Sequence, residues 1–261
     1  MIRERIEAEL SAIEAAEGIR IFYACESGSR AWGFPSADSD YDVRFLYLHP
    51  TDWYLSINVE RKRDVVERPI DDRLDLSGWD LRKALRLLQK GNAPLAEWLG
   101  SPTIYREHSS IPAQMRAALA DHYSPMAALY HYLRMAQGNF RDYLKGPTVW
   151  LKKYLYVLRP LLAIQWIEQG LGVVPTEFQT LVDRLVVSPD LKAEIDALLQ
   201  AKREGAELDR GPRIEAISQF IETELDRLAG KPFGHEYGKP IMMADELNRL
   251  FRAALQQVWQ K

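Results

Sequence analysis

Ile2, Ile6, Leu10 and Ile13 recur at helical spacing, which predicts an amphipathic helix over 2–16 closed by Gly18. The pattern then changes. Ile19 to Cys25 is rich in β-formers and predicts a strand. Gly28, Gly33 and Pro35 punctuate a loop over 27–38, and Tyr41 to Leu48 predicts a second strand. The mixed-sign run from Arg61 to Arg73 reads as a hairpin or exposed connection, and residues 73–76 as a short strand. From about residue 77 the apolar period becomes helical. Leu81, Leu85 and Leu88 share a face, and Gly91 ends that helix. Ser77-Gly78-Trp79-Asp80 reads as a capping box, with Ser77 as N-cap and Asp80 reaching back to its amide. Further helices are predicted over 94–100, 111–121, 125–138, 147–169, 175–186, 190–203, 211–229 and 244–260, with a kink at Pro160. Gly230 to Pro240 is the stretch richest in Gly and Pro. The fold class expected is α+β, with a strand-bearing core over 1–108 and an all-helical domain over 109–261.

Composition narrows the class. The 261 residues allow one large domain or two modest ones. Apolar residues at 47% and charged residues at 27% exclude a disordered or low-complexity chain. A net charge of −3 excludes a globally basic nucleic-acid coat but leaves room for a local basic groove. Cys25 is the single cysteine, so an intrachain disulfide and a cysteine-built zinc site are both excluded. The five histidines are scattered without ligand spacing. The acid-bearing N-terminus lacks the apolar run of a signal peptide. The most apolar stretch, Tyr154 to Ile167, is cut by Arg159 and Pro160 and falls short of the roughly 18–20 residues that span a membrane. A cytoplasmic protein with no membrane partner is expected.

The chemistry concentrates in Ser27 to Val43. Gly28-Ser29 follows a predicted strand, and Asp40-Tyr41-Asp42 begins the next one eleven residues after Ser29. Strand alternation sends Asp40 and Asp42 to one face, about 7 Å apart, where the two carboxylates repel. Bound Mg²⁺ relieves that repulsion, and a metal pair stabilises the attacking and leaving oxygens of phosphoryl transfer. The Gly28-Ser29 turn offers an unobstructed backbone and a hydroxyl to a triphosphate. Read blandly, Asp38 or Asp40 is a helix or Asx cap in a turn, and Gly28-Ser29 an ordinary strand-ending turn. Gly28 to Gly33 also spells G-x-x-x-x-G, but Phe34-Pro35 follows where a P-loop needs Lys-Ser/Thr, so a P-loop is rejected. Arg30 is either a triphosphate contact or a solvated surface residue.

Gly28-Ser29, Asp40, Asp42 and Val43 together resemble the signature of the DNA polymerase β-type nucleotidyltransferase superfamily. Gly28 to Gly33, Asp38 to Arg44, Trp79 to Leu85, Lys90-Gly91-Asn92, Glu97-Trp98-Leu99 and Ser101-Pro102 are similar to one branch, the RlaP (YcgL-like) predicted nucleotidyltransferase family named for an RNA repair pathway. The resemblance runs from about 20 to 105, with a weaker echo at Lys152 to Tyr156 and Leu158-Arg159-Pro160. It implies a polymerase β-like core: a short mixed sheet with flanking helices. It implies transfer of a nucleotide from an NTP with Mg²⁺ or Mn²⁺, releasing pyrophosphate. It also implies a third metal-binding carboxylate on a later strand, for which Asp75 is the candidate and Asp64 and Asp80 are weaker ones. By the same analogy Lys152 is a phosphate contact.

Asn139 to Pro160 interleaves Arg141, Lys145, Lys152, Lys153 and Arg159 with Phe140, Tyr143, Trp150, Tyr154 and Tyr156. Such a segment binds phosphates or a nucleic-acid end, or is a helix with a wet lysine face and a packed aromatic one. Lys83 lies near the proposed site on a helix that also carries Arg82, Arg86 and Lys90, usually just a wet face. Trp32 reads as core. The acceptor expected is an RNA 3′ end. Nucleotide transfer onto a protein hydroxyl, as in the antitoxin-like AMPylating enzymes, and a non-catalytic NTP- or RNA-binding module remain open, as does the oligomeric state.

Overall fold

A computed structural model of the chain describes residues 2–70, 72–204, 208–230, 232–234, 237 and 242–259. Most of the loop 230–240 therefore lies outside the described residues. In chain order the elements are α1 (Ile2–Glu17), β1 (Arg20–Glu26), α2 (Gly28–Ala31), β2 (Tyr41–Leu48), α3 (Thr51–Tyr54), β3 (Val65–Glu67), β4 (Leu74–Asp80), α4 (Leu81–Gln89), α5 (Ala93–Leu99) and β5 (Ile104–Glu107). There follow α6 (Ile111–His122), α7 (Met126–Tyr143), β6 (Thr148–Trp150), α8 (Lys153–Glu168), α9 (Phe178–Leu185), α10 (Pro189–Arg203), β7 (Arg210–Pro212), α11 (Glu215–Leu228) and α12 (Ala244–Trp259). None of the described helices is long and apolar enough to cross a membrane.

The chain divides into two compact units. The first comprises Met1–Ala31, Asp40–Tyr123 and Pro240–Lys261; the second comprises Trp32–Ser39 and Ser124–Lys239. This replaces a single cut between 108 and 109. Helix α6 stays with the first unit, α12 returns to it, and eight residues of the early loop join the second. The pattern along the chain turns helical from about residue 77, but unit membership follows non-local packing.

The first unit holds a five-stranded mixed sheet in the order β3-β4-β2-β1-β5. Only β2 and β4 pair in parallel; the other neighbours are antiparallel. Helix α1 lays Ile6, Leu10 and Ile13 over one face, where they meet Ile21, Ala24, Val43, Phe45, Tyr47, Leu74 and Leu76. Alternation therefore sends Asp42 and Arg44 to the opposite face of β2, and Asp75 and Ser77 to that of β4. Gly78 keeps the core face of β4 free for the Phe45 ring, whose atoms lie 2.1–2.5 Å from where a Cβ would stand.

The capping box resolves differently from its sequence reading. Parallel pairing with β2 carries β4 through Ser77 to Asp80, so Ser77 is a strand residue and Asp80 is itself the N-cap. The Asp80 carboxylate accepts the Arg82 amide at 2.8 Å and the Tyr54 hydroxyl at 2.6 Å. Burial pushes its pKa up to about 6. A folded-state pKa raised in this way favours the fold fully below the ordinary carboxylate range, and the benefit is lost as pH rises through about 6. Asp80→Asn, which keeps an acceptor for the cap, is expected to remove that pH dependence. Urea unfolding between pH 4 and pH 7 should show the variant gaining on the wild type by about 2 kcal/mol across the window. Parallel curves would refute this.

The second unit is built around α8. Its residues Leu155, Val157, Leu158, Leu161, Leu162 and Ile164 are buried around much of the circumference, the mark of a central helix. Pro160 lies inside this helix. The Tyr154 hydroxyl bridges to Ser218 at 2.6 Å and accepts the Ile214 amide at 3.1 Å. Arg159 is fully buried, with its guanidinium 4.5 Å from the Trp32 ring and a hydrogen bond to the Thr176 carbonyl at 3.2 Å. Trp32 also packs against Phe34 and Tyr156 and is half-buried, at the edge of the core rather than inside it. The unit is not all-helical. Residues expected to begin the helices 147–169 and 211–229 instead form β6 and β7, an antiparallel ribbon. Gly211 permits it, because a Cβ there would stand 2.8 Å from the Leu151 side chain. The basic-aromatic segment is consequently the end of α7, a strand and the start of α8, rather than one helix.

Candidate active site

The loop between β1 and β2 brings the sequence candidates together. Gly28 adopts φ +59°, a region that favours glycine, and an added Cβ would fall 2.0 Å from Asp42 Oδ2. The Gly28 backbone thus lies directly against the Asp42 carboxylate. The Ser27 amide donates to the Asp42 carbonyl at 2.8 Å, which ties the turn to β2. Ser29 is buried in the short helix that follows.

Asp75 stands directly opposite Asp42 in the parallel β2–β4 register. Partners in adjacent strands share a face, so both carboxylates emerge together on the side away from α1. Arg44, two residues beyond Asp42, places one guanidinium nitrogen 2.8 Å from Asp75 Oδ2 and 3.3 Å from Asp42 Oδ1. Its other terminal nitrogen donates to the carbonyls of Val43 and Asp75, each at 3.2 Å. Arg44 is therefore the counter-charge between the two acids. Asp40 lies just before β2. Its carbonyl accepts Arg30 Nε at 3.0 Å, and the Arg30 guanidinium stacks 3.8 Å from the Tyr41 ring. Burial raises the Asp42 pKa; Asp75 and Asp40 add to the rise, and Arg44 and Arg30 oppose it.

Glu26, Arg44 and Tyr105 belong to the site and were not singled out from the sequence. Glu26 is 1% exposed at the end of β1. Its carboxylate accepts the Asp42 amide at 2.8 Å and the Tyr105 hydroxyl, and burial raises its pKa. It anchors the backbone of Asp42. A signal existed: an acid closing an otherwise apolar strand two residues before the glycine.

One candidate lies elsewhere in the same unit. Lys83 sits on α4, beyond the end of β4 remote from Asp75, and bonds Asp64 at 3.1 Å. The structure groups it with Asp64 and not with the Asp42–Asp75 pair. Asp64 and Asp80 are thereby also removed from the pair. Lys152 belongs to the second unit, where its ammonium lies 5.6 Å from the Trp150 ring. Among the described residues no three acidic, histidine or cysteine side chains converge as a ready-made ion site. Of the three acids expected to act together, Asp42 and Asp75 stand opposite each other across β2 and β4, and Asp40 lies just before β2.

A glycine turn thus packs on one carboxylate, and a second carboxylate faces it across a parallel strand pair. The family model described as the RNA repair pathway DNA polymerase beta family (RlaP) matches residues 2–253, and the chain belongs to that family. It is similar to the uncharacterized protein YcgL of Bacillus subtilis strain 168, with 50% identity over 260 residues covering 99% of this chain and 98% of that protein. A crystal structure of a nucleotidyltransferase-like protein from Exiguobacterium sibiricum 255-15 aligns over 96% of this chain and 87% of that one. Its identity is 15% and its TM-score 0.33, too low to bear on the site.

Proposed function

We propose that this protein is a metal-dependent nucleotidyltransferase that moves a nucleoside monophosphate from an NTP to an acceptor hydroxyl, an RNA 3′ end, and releases pyrophosphate. The observation that carries this reading is the Gly28 backbone set against Asp42, with Asp75 opposite in register. Family membership supports nucleotidyl transfer in an RNA repair context.

The donor set suits a hard divalent cation. It is all oxygen, the ligand type such an ion takes, and an ion there would take the place of the Arg44 guanidinium that now pairs with both acids. Asp42 and Asp75 would hold the ion, with Asp40 at the edge. When bound, Mg²⁺ supplies the charge that stabilises the attacking and leaving oxygens. The chain does the rest. The Gly28-Ser29 turn receives the triphosphate against its backbone, and Arg30 adds a positive charge beside Asp40. Asp75 takes the proton of the acceptor hydroxyl as that oxygen bonds the α-phosphorus. The bond from the α-phosphorus to the bridging oxygen breaks, and pyrophosphate leaves. Glu26 fixes the Asp42 backbone throughout. Arg44 competes with the cation for the same two carboxylates.

The test uses the four α-labelled NTPs with Mg²⁺ or Mn²⁺, each with bulk tRNA, bulk protein extract or no acceptor. Label is expected in RNA from one favoured nucleotide. Label in protein alone would replace the RNA acceptor with a protein hydroxyl. No incorporation with any acceptor would overturn the transfer reading.

A further inference from the structure

Val66 of β3 belongs to the apolar core under α1, so Glu67 faces the other way, onto the side that carries Asp42 and Asp75. Glu67 pairs with Ser77 across the antiparallel β3–β4 ladder, and Ser77 pairs with Arg44 across the parallel β4–β2 ladder. Register partners share a face, so Glu67, Ser77 and Arg44 form a row beside the opposed acids, about 6.5 Å further along the strands. Ser77 is half-buried, and Glu67 is exposed on the edge strand. Among the described residues, neither the Ser77 hydroxyl nor the Glu67 carboxylate has a hydrogen bond or ion pair. The row after that is closed. Trp79 packs on Trp98 with ring centroids 3.9 Å apart, and the Tyr23 hydroxyl donates to the Trp98 carbonyl at 2.6 Å. All these residues belong to the first unit.

The open face beyond Asp75 is therefore one row deep, and that row offers a hydroxyl and a carboxylate. A carboxylate accepts hydrogen bonds and donates none; a serine hydroxyl does both. A group seated against the two must bring a donor, and the Glu67 charge repels a phosphate there. A hydroxyl meets both conditions. In a ribose the second hydroxyl stands on the carbon next to the reacting one, on the scale of the step from Asp75 to Ser77. We propose that Glu67 and Ser77 bind the 2′-hydroxyl of the terminal ribose of the acceptor and so select an RNA end over a DNA end. This rests on the transfer reading above, which seats the acceptor hydroxyl at Asp75. Carboxylates read ribose 2′-hydroxyls in dinucleotide-binding folds, and this hydroxyl is the group that separates RNA from DNA. Sequence alone gives Glu67 and Ser77 no such role, because β3 and β4 join them only through their register.

The test gives the full-length protein oligoribonucleotides that differ only in the last sugar: ribose, 2′-deoxy or 2′-fluoro. With α-labelled NTPs, the ribose end is expected to exceed the deoxy end by about 10–100-fold in kcat/KM, the worth of a hydrogen bond to a charged group. The 2′-fluoro end cannot donate and should behave as the deoxy end. Glu67→Ala is expected to remove most of this preference and Ser77→Ala part of it. Both should slow the ribose end, extend the deoxy end at the wild-type rate and unfold at the wild-type temperature. Equal use of ribose and deoxy ends by the wild type would overturn the proposal and leave the transfer reading standing. A fall at both ends together in a folded Glu67→Ala would also overturn it. Binding of the same oligonucleotides, carrying a 5′ fluorophore, is followed by anisotropy with Mg²⁺ and no NTP. In a protein that transfers nothing, tighter binding of the ribose end that Glu67→Ala abolishes would uphold the ribose site and remove the transfer reading. Equal binding of the three ends in such a protein would remove both.

Discussion

Asp42→Asn is expected to lower label incorporation by about 10³-fold or more, the scale lost when a group that acts on the charge of the transition state is removed. It is also expected to leave stability unchanged or slightly raised. The two halves follow from one fact: burial raises the Asp42 pKa, so the ionised form is held in the fold at a cost. The amide removes that charge and keeps the shape. Arg44 keeps its 2.8 Å partner Asp75, so no guanidinium is stranded. The Glu26 bond is to the Asp42 backbone and survives the change. The measurement is α-labelled NTP incorporation at saturating Mg²⁺ beside a urea unfolding curve. A variant that keeps more than a tenth of wild-type transfer would remove Asp42 from the chemistry. Loss of activity together with loss of folding would assign it a structural role instead.

Gly28→Ala is expected to approach the activity loss of Asp42→Asn and, unlike it, to destabilise. The left-handed backbone alone costs an alanine about 1–2 kcal/mol. The larger effect is steric, since the new methyl would stand 2.0 Å from Asp42 Oδ2 and 2.9 Å from its carboxyl carbon. Either the carboxylate leaves its place opposite Asp75 or β1 and β2 separate. A total loss of about 2–4 kcal/mol in unfolding free energy is expected. Gly18→Ala is the control. Gly18 has φ +63° but nothing within 4 Å of an added Cβ, so it carries the strain without the collision. It should lose about 1 kcal/mol and keep full transfer. Equal activity in the two variants would show that the contact between the turn and Asp42 is dispensable.

Much of this site was legible along the chain because its parts are close in sequence. Gly28-Ser29 and Asp40-x-Asp42 span fifteen residues, and β1 and β2 were read to within a residue or so from their β-branched and aromatic runs. Asp75 was also recovered, from its place in a short alternating strand. The register that puts it opposite Asp42 is a property of the parallel β2–β4 pairing. Lys83 was misplaced for the same reason. Thirty-nine residues separate Arg44 from Lys83, and only the direction of β4 decides that Lys83 ends beside Asp64. The ribbon of β6 and β7 was read as helix because three-residue strands give no period to detect.

The amino-acid order by itself determined what depends on near neighbours: the helical faces, the two main strands, the glycine where φ is positive, and the acids on one side of a strand. It also determined membership of a nucleotidyltransferase family, through a motif whose spacing is set by one turn and one strand. Only the tertiary structure decided what depends on distant segments meeting. It chose Arg44 as the cation between Asp42 and Asp75, and Glu26 as the anchor of the Asp42 amide. It took residues 32–39 into the second unit, and it buried Lys202 against Phe34 and Tyr156. These contacts join residues up to about 170 positions apart, and no local propensity encodes a pairing over such a span.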